Sequence, residues 1–127
     1  MKIAKLSYEA APPVEVEREI LGDKGTVDIV AFDGDVQRLI ADLAPYDGIR
    51  TDYVPLTRDI IMRLDNCKVI SVEATGWTSV DGAAAADKGI HVCAISEYCT
   101  QEVADHTMTL LMALQRRLIL FNNNAHF

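Results

Sequence analysis

Ala74-Thr75-Gly76 follows KVISV, residues 68–72, the most convincing strand-like run in the chain. A glycine where a strand gives way to a turn admits a positive φ or the close approach of a second molecule to the backbone. Successive N–H groups in such a turn can receive an anion, although Gly76 can equally be an ordinary turn residue. Arg50 stands near the end of the weaker run DGIRTD. A guanidinium there suits a carboxylate or phosphate, with surface pairing to Asp47 or Asp52 as the alternative. Tyr98 precedes Thr100 by two residues; its hydroxyl can meet a substrate or close a loop over the core. The free N–H groups at the start of a helix beginning at Thr100 would also attract an anion, unless the Thr100 side chain caps them itself. His106 follows Asp105, but neighbours in a helix do not face each other, so Glu102 is the better partner and a structural pair the favoured reading.

The elements that must carry these residues alternate along the chain. Residues 2–8 and the β-branched run 26–32 read as strands. Between them, Val14, Val16, Ile20 and Leu21 give a weak helical pattern closed by Gly22 and Gly25. Val36, Leu39, Ile40 and Leu43 fall at helical spacing. A weak third strand is expected at 47–52, then a helix opened by Thr57 and carrying Ile60, Ile61 and Leu64. Residues 68–72 form the fourth strand, and Asp81 caps an alanine-rich helix that Gly89 stops. Residues 90–95 form the fifth strand, and a long apolar helix runs from Thr100 to about Phe121. Strict alternation with short connections means a parallel sheet with helices on both faces. Five strands fit the flavodoxin-like order 2-1-3-4-5, an α/β three-layer fold whose ligands sit outside the carboxyl ends of the strands. That places loops 51–55, 73–77 and 96–100 at the site.

Composition excludes several functions. The net charge of −7 over 127 residues argues against nucleic acid and anionic membrane as partners. No stretch approaches the roughly 18 consecutive apolar residues of a membrane span, and the first residues hold no apolar segment long enough for a signal peptide. The three cysteines, Cys67, Cys93 and Cys99, lack zinc spacing; Cys67 and Cys93 read as buried thiols, and the set fits a reducing cytoplasm. No metal site is expected. None of the seven glycines stands two from another, so GxGxxG is absent, as are a Walker A loop, HExxH, CxxC and GxSxG.

The segment KVISVEATGWTSVDGAAAADKGIHV, continued by ISEYCTQEVADHTMTLLMALQRRL and led in by YVPLTRDIIMRLDN, resembles the D-isomer-specific 2-hydroxyacid dehydrogenases. The shared pattern is a strand, a small-residue loop, an alanine-rich helix, Gly-Ile-x-Val, a tyrosine loop and a long helix ending in Arg-Arg. The likeness is strong from Tyr46 to Leu118 and architectural before it. It implies an oxidoreductase that interconverts 2-hydroxy and 2-oxo acids with NAD, and a substrate-holding role for this domain. Ala74, Thr75 and Gly76 match the backbone that meets the carboxylate. Tyr98 and Arg50 match substrate contacts of different family branches, and Thr100 and Val103 match positions near the nicotinamide.

Departures accompany the likeness. Ala74 replaces a loop glycine, Thr78 and Ser79 replace the usual polar pair, and Asp105 replaces a glutamate. The resemblance divides the chain into a substrate domain at 1–99, an interdomain-type helix at 100–121 and a tail at 122–127. The family's NAD-binding Rossmann domain, its catalytic residues and its returning C-terminal helix are not in these residues. The chain is therefore expected to be inactive alone, with no catalytic residue of its own. The apolar final helix is expected to form a homodimer. The alternative reading is a non-catalytic flavodoxin-like binding or interaction module.

Overall fold

The computed structural model describes residues 1–125. The chain divides into two units, Met1–Ser96 and a second beginning at Glu97. In the first, β1 (Lys2–Ser7), α1 (Glu15–Leu21), β2 (Thr26–Ala31), α2 (Val36–Leu43), β3 (Gly48–Thr51), α3 (Arg58–Ile61), β4 (Val69–Val72), α4 (Gly82–Asp87) and β5 (His91–Ala94) follow one another. The sheet is parallel throughout with order β2-β1-β3-β4-β5. This is the expected flavodoxin-like order.

The two faces of the sheet differ sharply. Side chains alternate across a strand, so Ala4, Leu6, Val30, Ile49, Ile70 and Val72 share one face. They pack with Leu39 and Leu43 of α2, Ile60 and Ile61 of α3, and Ala84 and Ala85 of α4 in one apolar cluster. Full burial of a Leu or Ile side chain contributes roughly 1.5–3 kcal/mol, and this face holds nearly all of the buried apolar side chains. The opposite face carries Lys5, Arg50, Ser71 and Cys93 at one register level. Cys93 therefore lies exposed rather than buried as expected: it shares the polar face with exposed Ser71 and His91. Cys67 is buried, and burial pushes its thiol above the ordinary range.

Local signals explain the helix ends. Asp35 caps α2, its Oδ1 accepting from Gln37 and Arg38 N–H at 2.9 and 3.1 Å. Asp81 caps α4 by accepting from Ala84 N–H at 2.9 Å, and Gly89 stops it with φ at +71°, both as expected. Thr57 stands at the start of α3, although its side chain makes no capping bond.

The second unit holds α5 (Thr100–Gln115) and α6 (Leu118–Ala125), so the single helix expected over 100–121 is two. The chain breaks at Arg117, where φ is +52°, a conformation that costs a non-glycine residue roughly 1–2 kcal/mol. The cap also differs: Cys99, without a side-chain cap bond, stands at the N-cap and Thr100 is the first helical residue. No residue of α5 or α6 is buried. The expected Glu102–His106 pair is not made among the described residues; instead Gln101 Nε2 donates to Asp105 at 2.9 Å. His126 lies outside the described residues.

Lys5 and Arg50 are cross-strand neighbours, and like charges so placed repel. Glu17 of α1 lies between them: its Oε1 accepts from Lys5 Nζ at 2.8 Å and pairs with Arg50 Nη1. Lys5 Nζ also donates to the Pro13 carbonyl at 2.6 Å. Removing one partner of a buried pair leaves an uncompensated charge, at roughly 3–5 kcal/mol. Glu17→Gln is expected to cost about 3 kcal/mol in urea unfolding, more than Lys5→Met, because it leaves two cations side by side while Lys5→Met leaves Glu17 still paired to Arg50. A loss of under about 1 kcal/mol for Glu17→Gln would show that solvent already screens the pair.

Candidate functional site

Three connections gather at the carboxyl ends of β3, β4 and β5, and the first two are tied together. Leu56 and Val80 form a parallel bridge outside the strands, with Leu56 N–H donating to Ser79 O at 2.8 Å and Asp81 N–H to Leu56 O at 3.0 Å. Glu73 N–H donates to Thr51 O at 2.8 Å, and Ile95 N–H donates to Ala74 O at 3.0 Å. The loop after β4 is thus fixed at Glu73, at Ala74 and again at Ser79–Val80, while its middle stays open.

In that middle, the N–H groups of Ala74, Thr75 and Gly76 donate to no protein acceptor among the described residues. Ala74 is half-buried and packs against the core, whereas Thr75 and Gly76 are exposed. Three consecutive unengaged donors at a strand's carboxyl end are chemically fit for a carboxylate. The left-handed residue that an alternating anion nest requires is missing here, since none of the three has a positive φ. The donors are presented by a bend rather than by a nest.

Gly76 meets neither of the usual demands for glycine within the chain. Its φ is not left-handed, and a Cβ built on it would meet nothing within 4 Å. What the missing side chain leaves is open space over the backbone. Gly82 is the opposite case: an added Cβ would lie 2.7 Å from Cζ3 of Trp77, so the indole rests on the start of α4. Beside it, a cleft of about 570 Å³ is lined by Trp77, Gly82, Ala86, Ile90 and His91 among others, with no Lys, Arg, Asp or Glu. It supplies no charge to an acid.

Arg50 reaches neither Asp47 nor Asp52. Its Nη1 pairs with Glu17, and its Nη2 with Glu73 Oε2 at 2.7 Å. Asp47 instead accepts from Lys2 N–H at 2.8 Å and Lys68 Nζ at 3.2 Å; the Lys2 N–H first, then Lys68, holds its carboxyl below the ordinary range. Asp52 accepts from Tyr53 N–H at 2.6 Å. The Glu17 and Glu73 partnership was missed in the sequence, where neither residue stands near Arg50. Tyr98, Thr100 and Val103 belong to the second unit, all exposed.

The fold agrees with the comparisons to known proteins. The model of the D-isomer specific 2-hydroxyacid dehydrogenase catalytic domain matches residues 6–125. The chain is 38% identical over 72 residues to a glycerate dehydrogenase of Methylorubrum extorquens, covering 57% of this chain and 23% of that protein. It is 28% identical over 92 residues to a hydroxypyruvate reductase of Blautia hydrogenotrophica, covering 72% and 29%. Among solved structures, a 2-hydroxyacid dehydrogenase from Ketogulonicigenium vulgare superposes with a TM-score of 0.73 at 26% identity, over 95% of this chain and 37% of that one. An NAD-dependent formate dehydrogenase from Staphylococcus aureus in complex with NAD gives 0.73 at 25% identity, over 99% and 42%. The chain belongs to the D-isomer specific 2-hydroxyacid dehydrogenase family, a family of NAD-dependent oxidoreductases acting on 2-hydroxy and 2-oxo acids. It spans 23% and 29% of the two curated relatives named. No described helix is long and apolar enough to cross a membrane.

Because nothing among the described residues demands glycine at 76, Gly76→Ala is expected to fold normally. Its stability should be unchanged or raised by up to about 1 kcal/mol, through lower entropy of the unfolded chain. A melting temperature several degrees below that of the parent would reveal a structural need for Gly76.

Proposed function

We propose that this chain is the acid-binding part of an NAD-dependent 2-hydroxyacid dehydrogenase, and that the substrate carboxylate is received by the N–H groups of Ala74, Thr75 and Gly76. The observation that carries this reading is that row of three unengaged donors, anchored on both sides and open above Gly76. Backbone donors of this kind hold a carboxylate without the entropy cost of ordering long side chains. The family likeness adds a substrate contact at Tyr98 and a position beside the nicotinamide for Thr100 and Val103.

When bound, NAD supplies the hydride acceptor or donor. The described residues do not fit a dinucleotide cradle: the connection from β1 to α1, Tyr8 to Val14, holds no glycine, whereas a pyrophosphate turn needs close backbone approach. Hydride transfer would therefore require NAD held by residues beyond these, and the 127 residues alone are proposed to be inactive. Their own contribution is to bind and orient the acid.

A titration followed by amide NMR tests the acid site. Glycerate and pyruvate are expected to shift the Ala74, Thr75 and Gly76 amides at millimolar concentration, and Gly76→Ala to weaken binding several-fold. Shifts centred elsewhere, or none at high millimolar acid, would refute the assignment.

We also propose that the second unit mediates self-association as a two-fold dimer. Val103, Met108, Leu110, Leu111, Leu114, Leu118 and Phe121 are all more than half exposed, an apolar surface that monomers seldom leave in water. Sedimentation at micromolar concentration is expected to show a dimer that Leu111→Glu or Leu118→Glu dissociates. A monomer unaffected by either substitution would end this reading.

A further inference from the structure

On the sheet face beneath α1, four charged groups form one continuous chain. Lys5 Nζ meets Glu17, Glu17 meets Arg50, and Arg50 Nη2 meets Glu73 at 2.7 Å. Two cations and two carboxylates cancel. Only 30% of the Arg50 side chain and 27% of the Glu73 side chain are exposed, so their attraction is less screened than that of a surface pair. A guanidinium set between two carboxylates already has its charge compensated, so a substrate acid would compete with both for it.

Glu73 is the residue immediately before the three free donors. Its backbone is held by Thr51 O at 2.8 Å, and its side chain by Arg50. Both of its attachments therefore run to β3, which carries Thr51 and Arg50 side by side.

We propose that Arg50 is a positioning residue that acts through Glu73. It fixes the direction in which the chain leaves β4, and with it the aim of the Ala74, Thr75 and Gly76 N–H groups; the acid itself is met by the backbone. This rests on the acid-binding role proposed above for those three residues. It assigns Arg50 a different task from the direct substrate contact that the family likeness implies, and it makes Glu73 part of the site.

The sign of one substitution separates the two roles. Glu73→Gln in the full chain keeps the side-chain shape and removes its charge. If Arg50 positions the loop, this variant exchanges the Glu73 and Ile95 amide hydrogens, whose bonds to Thr51 O and Ala74 O hold the loop, about tenfold faster. It also binds glycerate several-fold more weakly. Arg50→Met does the same, Arg50→Lys fails to restore either property because it lacks the fork that spans two carboxylates, and the double variant is no worse than the worse single one. If Arg50 were instead a direct ligand, Glu73→Gln would release the guanidinium and glycerate would bind as tightly or more tightly, overturning the proposal. Unchanged exchange in Glu73→Gln would overturn it equally. Should the parent chain show no glycerate-induced shift at the Ala74, Thr75 and Gly76 amides, the acid-binding reading fails, and the exchange comparison still decides whether Arg50 sets the loop. Glu73→Gln carries the test if Arg50→Met does not fold.

Discussion

The arrangement of this domain hangs on one electrostatic constraint: Lys5 and Arg50 occupy adjacent positions on neighbouring strands and cannot share that face without an anion between them. Lys5 is 7% exposed, and an ammonium so far from water needs a partner. Glu17 meets both cations and ties α1 to β1 and β3. Apolar burial does little for this helix. It has no buried residue and Val16 is exposed, although Ile20 and Leu21 line an apolar groove with Val27 and Val69 of the sheet. One face of the sheet is thus held by hydrocarbon packing alone, while the other joins the ion chain to a smaller apolar contribution from Val27. The two respond to different conditions, since screening by salt weakens an ion chain and not an apolar contact.

Much of the architecture was legible because it follows from periodicity. An alternating apolar run marked β1, a β-branched run marked β2, helical spacing marked α2, and Asp81 with Gly89 bounded α4. These signals are local, and each agrees with the global arrangement. The legible part ends where a residue type departs from its usual conformation. Arg117 splits the final helix with a left-handed backbone, yet neither glycine nor proline stands there to announce it. Thr100 has the side chain of a cap but sits one residue inside the helix. Cys93 looked like core because its neighbours are apolar; the register of an edge strand turned it toward the polar face.

The candidate site was legible in part for the same reason. A small-residue loop after the best strand is a local feature, and the family likeness pointed to it as well. That its donors lie unengaged is a matter of what surrounds them in space, which spacing alone does not report. Arg50 shows the limit more clearly. Its nearest acids in sequence are Asp47 and Asp52, but β-strand direction sends those carboxylates to other donors. The acids it does meet lie on α1 and beyond β4, brought there only when the sheet is assembled in its crossed order.

Trp77 and Gly82 carry a consequence for how this sequence can change. The indole occupies the volume that any side chain at 82 would need, so the two positions behave as a single shared space. A substitution at 82 displaces the ring from α4, and a small residue at 77 uncovers the helix start. Neither step is neutral while the other position stays as it is. Drift at one site is thereby tied to drift at the other. Because Trp77 is the sole tryptophan of the chain, the pair also offers an optical signal: its emission reports how the indole sits on the helix, one residue from the backbone proposed to bind the acid.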